Sequence, residues 1–179
     1  IAEHYLPRAA GDRVPSSGAG AAVALADRLD SIVGCFGIGL VPTGSEDPYA
    51  LRRAALGVVQ TLLQRNCRLS LGEAVACAQA GYAQTGPDAE ASRQAILDFL
   101  RGRIQAVLTE RGLPADVVEA TLSAGSDDAA DAARRAEALA ILRREADFVE
   151  LATAFRRVVG IIPRGFDRPV DVSRLVEAA

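Results

Sequence analysis

The chain of 179 residues contains no lysine, no methionine and no tryptophan, and its single histidine is His4. Each absence closes a route. A Walker-type phosphate loop needs Gly-Lys-Ser/Thr, so the glycines at 34, 37, 39 and 44 read as a turn-forming loop rather than a nucleotide cradle. A dinucleotide fingerprint needs a strand ahead of its glycines, and here a helical pattern precedes them. With one histidine, any triad, facial metal triad or histidine-bearing zinc site must be built on His4. That residue stands beside Glu3 without companions, and it reads as a surface or helix-packing histidine. The three cysteines, Cys35, Cys67 and Cys77, lack the short spacings of zinc and redox motifs. They read as small core hydrophobes in a reducing compartment. No apolar run approaches the ~20 residues that span a bilayer, and no signal peptide is visible, so the expectation is a cytoplasmic protein without a membrane partner.

Aromatic residues make up 4% of the chain, whereas half of it is hydrophobic. The core must therefore be assembled from Ala, Leu, Val and Ile, which favours close-packed helices and needs neither disulfide nor metal. All twenty basic residues are arginine, which beside so much alanine and glycine reads as a bias of genomic composition. The net charge of −3 argues against an autonomous nucleic-acid module, but it leaves room for local arginine patches. An opening of Ile1-Ala2-Glu3-His4 in helical register, with no methionine, predicts a piece of a longer chain.

The hydrophobic period is helical throughout, and the expected fold is all-α, a multi-helix bundle. A helix end over residues 1–6 stops at Pro7, and a Gly/Pro/Ser-rich loop follows to Gly20. A helix from about Ala19 to Cys35 gathers Leu25, Leu29, Ile32, Val33 and Phe36 on one side, with Val23, Asp27 and Asp30 opposite. Asp47-Pro48 predicts the next helix start, with Asp47 as N-cap, and that helix runs to about Arg65. Leu51, Ala55, Val58, Val59, Leu62 and Leu63 form its apolar arc, and Arg53, Gln60 and Gln64 occupy the other side. Ser70 and Glu73 make a capping box for a helix to Ala83. Pro87 or Asp88 opens one that Gly112 closes. Pro114 begins a short helix to Ala124, and Ser126-Asp127-Asp128 leads into one to Arg144. Asp147 to Ile162 is the last, with Phe148, Leu151, Ala152, Phe155, Val158, Val159 and Ile162 on one face, before Pro163-Arg164-Gly165 and a linker-like tail.

No complete catalytic constellation emerges, and none is expected. Arg52 flanks an apolar arc, where an unpaired charge would be costly, so Asp27, Asp30 and Asp47 are its candidate ion-pair partners. Asp27 and Asp30, three apart on a helix, read as solvated or paired charge rather than acid–base carboxylates. Arginine pairs stand at 52–53, 134–135, 143–144 and 156–157. Acidic neighbours make the middle two read as solvated helix faces. Arg52, Arg53, Arg156 and Arg157 have fewer local acids and are the candidate phosphate contacts, since a guanidinium grips phosphate through two bonds.

Three runs carry a family resemblance: Ala26-Asp27-Arg28-Leu29-Asp30-Ser31-Ile32-Val33-Gly34, then Phe36-Gly37-Ile38-Gly39, then Pro42-Thr43-Gly44-Ser45-Glu46-Asp47-Pro48-Tyr49-Ala50-Leu51-Arg52-Arg53-Ala54-Ala55-Leu56-Gly57-Val58. Together with Ile1-Ala2-Glu3-His4-Tyr5-Leu6-Pro7 and, later, Ala154-Phe155-Arg156-Arg157-Val158, the chain resembles the β chain of bacterial glycyl-tRNA synthetase. The likeness is dense over 1–65, thin over 66–145, and returns near 148–160. It implies an α₂β₂ enzyme whose α chain holds the class II active site and uses ATP and Mg to activate glycine. The β chain of that family handles tRNA through an HD-like domain, a helical body and an anticodon-binding domain. On that template residues 1–40 end the HD-like domain, 41–163 are the helical body, and 164–179 are a linker and the start of the anticodon-binding region. The implied partners are glycine tRNA and the α subunit, not DNA. Ala26-Asp27-Arg28-Leu29 also resembles the last-aspartate helix of HD phosphohydrolases, but this family has lost the metal-binding histidines, so Asp27 is expected to be a structural relic. Gly160 departs from the family pattern, where Asn would follow the Phe-Arg-Arg-Val helix. The competing readings are an HD-type metal-dependent phosphohydrolase and a plain helical interaction module.

Overall fold

The computed structural model describes residues 2–42, 47, 49–82 and 89–162. Among them the chain forms seven α-helices and no strand, in the all-α class the periodicity predicts. After a short 3-10 turn, Ala2–Tyr5, come α1 (Gly18–Gly37), α2 (Leu51–Gln64), α3 (Leu71–Ala80), α4 (Ala89–Glu110), α5 (Ala115–Ser123), α6 (Ala129–Leu142) and α7 (Phe148–Ile161). The chain divides into two units, Ile1–Ala140 and Ile141–Ala179. The expected linker and tail beyond Ile162 lie outside the described residues.

The first unit is organised around α4. Ile96, Leu100, Ile104 and Leu108 recur every fourth residue, form one stripe down that helix, and are wholly buried. Against it pack α1, α2, α3 and α5. From α2 come Leu51, Ala55, Val58, Val59 and Leu62, all buried as the apolar arc predicts. Phe36 of α1 meets Phe99 of α4 with ring centres 5.4 Å apart. The deficit of large side chains is met at α6, where Ala129, Ala130, Ala132, Ala133 and Ala136 are buried and let the helix approach closely.

Helix ends follow local chemistry. Ser70 caps α3, its hydroxyl accepting from the Glu73 N–H. Helices α1, α2 and α4 close with the same pair of hydrogen bonds, donated by the backbone N–H groups of the two residues past the cap. The pairs are Leu40 to Cys35 with Gly39 to Phe36, Cys67 to Leu62 with Asn66 to Leu63, and Leu113 to Leu108 with Gly112 to Thr109. The left-handed residue in each is Gly39, Asn66 or Gly112, types that tolerate positive φ.

Three expectations need correction. Gln60 is buried rather than on the polar side of α2, and its Oε1 has no hydrogen-bond partner. Cys35 and Cys67 pack against the core as expected, but Cys77 is exposed. Helix α2 begins at Leu51, later than Pro48, because Ala50 adopts a left-handed conformation (φ 55°) that interrupts helical continuity. In the second unit, α7 buries none of its residues, and Phe155, Val158, Val159 and Ile161 are exposed.

Candidate nucleic-acid interface

The start of α2 carries two adjacent cations, Arg52 and Arg53. A helix N-terminus already bears partial positive charge, so cations there are locally unfavourable without an anion. Asp47 supplies one. Its two carboxylate oxygens accept from the N–H groups of Leu51 (2.7 Å) and Arg52 (2.9 Å). Asp47 thus caps α2 from four residues upstream, across the turn that Ala50 makes.

Arg53 lines two neighbouring depressions. One is a cleft of about 280 Å³ between α2 and α4, bounded by Arg52, Arg53 and Leu56 on one side and Arg103, Val107 and Glu110 on the other. Arg103 Nε is buried without a hydrogen-bond acceptor. The second is a basin of about 550 Å³, where Arg53 and Tyr49 face His4, Tyr5 and Arg8 across a floor that includes Asp27 and Arg28 of α1. Among the described residues, Arg8, Arg53 and Arg103 enter no ion pair. Four arginines, Arg8, Arg52, Arg53 and Arg103, thus line two depressions that share Arg53, with one acid in each, Asp27 in the basin and Glu110 in the cleft.

The wall of the basin is fixed by polar contacts. Arg28 is buried, and its guanidinium donates to the carbonyls of His4, Ala24, Tyr5 and Pro7 at 3.0–3.1 Å. Burial pushes this guanidinium below its usual range, and the nearby Asp27 charge acts in the opposite sense. Its side chain crosses α2 at Gly57, where an added Cβ would sit 2.3 Å from Arg28 Nε. Glu3 ties the same segment to the start of α1. Its carboxylate accepts from the Ser16 hydroxyl (2.5 Å), the Ser17 hydroxyl and both backbone N–H groups. Those bonds hold the Glu3 carboxyl at about 2, well under the ordinary 4.5.

The expected site residues separate into groups. Arg52 is half-buried and Arg53 exposed, side by side at the cleft. Asp27 and Asp30 are exposed on α1, and Asp27 lines the basin with Arg53. Asp47 meets Arg52 through its backbone N–H. Arg156 and Arg157 are exposed on α7, in the second unit. The pair at 134–135 is more engaged than a solvated face. Arg135 spans Asp131, the Thr121 carbonyl and the Gly125 carbonyl, tying α6 to the end of α5. Sequence reasoning missed Arg8 and Arg103 because it searched for adjacent arginines, and missed Tyr5 and Tyr49 because isolated aromatics have no periodic signature.

Comparison with known proteins places the chain in a family. Residues 1–123 match the family model described as glycyl-tRNA synthetase beta subunit. The chain is 49% identical over its full length to the glycine–tRNA ligase beta subunit of Geobacter sulfurreducens, of which it covers 26%. It is 48% identical to that of Syntrophotalea carbinolica over 99% of the chain, and 46% identical to that of Moorella thermoacetica over 90%, covering 26% and 24% of those proteins. The chain therefore spans about a quarter of the length of the curated relatives it matches. Both depressions, with Arg8, Arg52, Arg53 and Arg103, fall inside the matched region, and on that match the chain belongs to the glycyl-tRNA synthetase β-subunit family.

Proposed function

We propose that this chain is part of the β chain of a glycine–tRNA ligase, and that it positions tRNA without holding the aminoacylation site. The observation that carries the reading is the cleft in which Arg52 and Arg53 of α2 face Arg103 of α4. Guanidinium groups at fixed spacing on two packed helices grip successive phosphates and set the register of a nucleic acid without reading its bases. Rigid helices suit that task better than loops, since a small displacement of a positioned substrate costs a large factor in rate. On this reading glycine activation with ATP and Mg takes place on the α chain. The β segment contributes by holding the tRNA where its 3′ end reaches that site, and Arg156 and Arg157 on α7 are further phosphate contacts.

The test is glycine charging of tRNA by the full-length protein with its α partner, comparing wild type with Arg52→Ala/Arg53→Ala. Wild type is expected to charge, and the double variant is expected to charge more slowly, chiefly through weaker tRNA binding. The slope of log affinity against log salt should become shallower by about 2, one for each guanidinium taken away from a phosphate. No charging by wild type, where a known glycine enzyme works under the same conditions, would sink the assignment. Equal charging by both proteins would leave the enzyme in place and reduce this face to scaffold.

A further inference from the structure

The larger basin has a composition the neighbouring cleft lacks. Two tyrosines from distant points of the chain, Tyr5 and Tyr49, line it and are more than half exposed, at 59% and 57%. Exposing two large rings in one depression wastes apolar burial unless something covers them. Cations flank them at Arg8 and Arg53, neither in an ion pair among the described residues. The volume, about 550 Å³, lies in the range of small-ligand sites. The backbone beneath is also unusual. Ala50, which lines the basin between Tyr49 and α2, holds a left-handed φ of 55° at some cost, and that turn sets where Tyr49 leaves the chain. Aromatic faces take the planar face of a base, and arginines beside them take the phosphate.

We infer that this basin receives one unpaired nucleotide of an RNA strand, its base against Tyr5 and Tyr49 and its phosphate between Arg8 and Arg53. Arg53, common to both depressions, then carries the strand from the basin into the cleft, so that the phosphate track and the base site are one surface. This inference rests on the tRNA-positioning reading, and it adds a contact that duplex-backbone binding does not need. A paired base cannot reach the tyrosines, so the site selects an unstacked position, by shape and stacking rather than by base identity.

The experiment uses full-length protein and a short single-stranded oligoribonucleotide carrying thiouridine, with crosslinked peptides mapped after irradiation and affinity read by fluorescence anisotropy. Crosslinks to the peptides bearing Tyr5 or Tyr49 are expected. Tyr5→Leu/Tyr49→Leu should weaken binding by about five- to a hundredfold, the effect of losing one stacked base. Tyr5→Phe/Tyr49→Phe should bind like wild type, because stacking needs the ring and not the hydroxyl. Both tyrosines are largely exposed, so the leucine variant is expected to fold, and circular dichroism is the check. If the leucine variant binds and crosslinks like wild type while Arg52→Ala/Arg53→Ala still slows charging, the basin inference fails and the positioning role stands. If wild type binds no RNA, both fail together. A free mononucleotide that binds as tightly as the oligonucleotide, with the same dependence on the tyrosines, overturns the RNA form in favour of a free-nucleotide site.

Discussion

At the scale of single residues, Arg28 and Gly57 together hold the opening segment that lines the basin. Arg28 looks like one more charge on α1, yet it is buried and holds three carbonyls of the opening segment as well as one of its own helix. Bonds from a charged donor are worth about 1.5–3 kcal/mol each, and carbonyls left unpaired in a dry site lose more than the bond. Gly57 exists for the same contact, since any Cβ there collides with the guanidinium. Gly57→Ala should therefore destabilise the chain by about 2–4 kcal/mol, although alanine is the better helix former, and urea denaturation will read the shift in midpoint. At Ala50 the sign reverses. Its positive φ favours glycine, so Ala50→Gly should stabilise by about 1 kcal/mol in the same assay. Glu3 gives a pH signature. Its folded-state pKa is depressed to about 2 from 4.5, so its contribution is present above pH 4.5 and disappears as pH falls through 2. Attachment of residues 2–6 to α1, followed by amide chemical shifts, should loosen over that window in wild type and not in Glu3→Gln.

At the scale of elements, much was legible. The apolar arc of α2, the Ser70 cap and the closing Gly112 were all readable, because each depends on residues a few positions apart. The bare exposure of α7's apolar face was not, since periodicity marks a face without naming what covers it. What joins elements was harder still. Asp127 and Asp128 read as one helix start, but they serve two helices. Asp127 accepts from Gly72 at the start of α3 (2.7 Å), and Asp128 accepts from Asp131 at the start of α6 (2.9 Å) and from Arg68 (3.0 Å). Burial pushes the Asp128 carboxyl up, and those two partners more than reverse the shift. Asp128→Ala should cost about 1–2 kcal/mol and fray α6, whereas Asp127→Ala should fray α3 by a similar amount, a contrast that hydrogen exchange resolves helix by helix. Of the candidate site, Arg52 and Arg53 were visible as a doublet. Arg103, far from them in sequence, joins them only because α4 packs on α2.

At the scale of the whole molecule, an acidic total is compatible with the proposed RNA contact because binding depends on local charge. Net charge is −3, yet Arg8, Arg52, Arg53 and Arg103 gather at two adjoining depressions. Association with RNA should be steep in salt despite the acidic total, because local guanidinium groups and not net charge set the number of displaced counterions. The mode of attachment of the opening segment has a further consequence. Among residues 2–8 only Leu6 and Pro7 are buried, and the bonds of Glu3 and Arg28 are polar ties that hold this segment to α1 and the loop before it. Such a hold releases with little exposure of apolar surface, so the segment should detach with a small heat-capacity change while the helices stay folded. His4, Tyr5 and Arg8 leave with it, and they are one wall of the basin. Whatever fills that basin must then tighten the segment's grip by as much as the segment tightens its own, and latch and cargo become two readings of a single equilibrium.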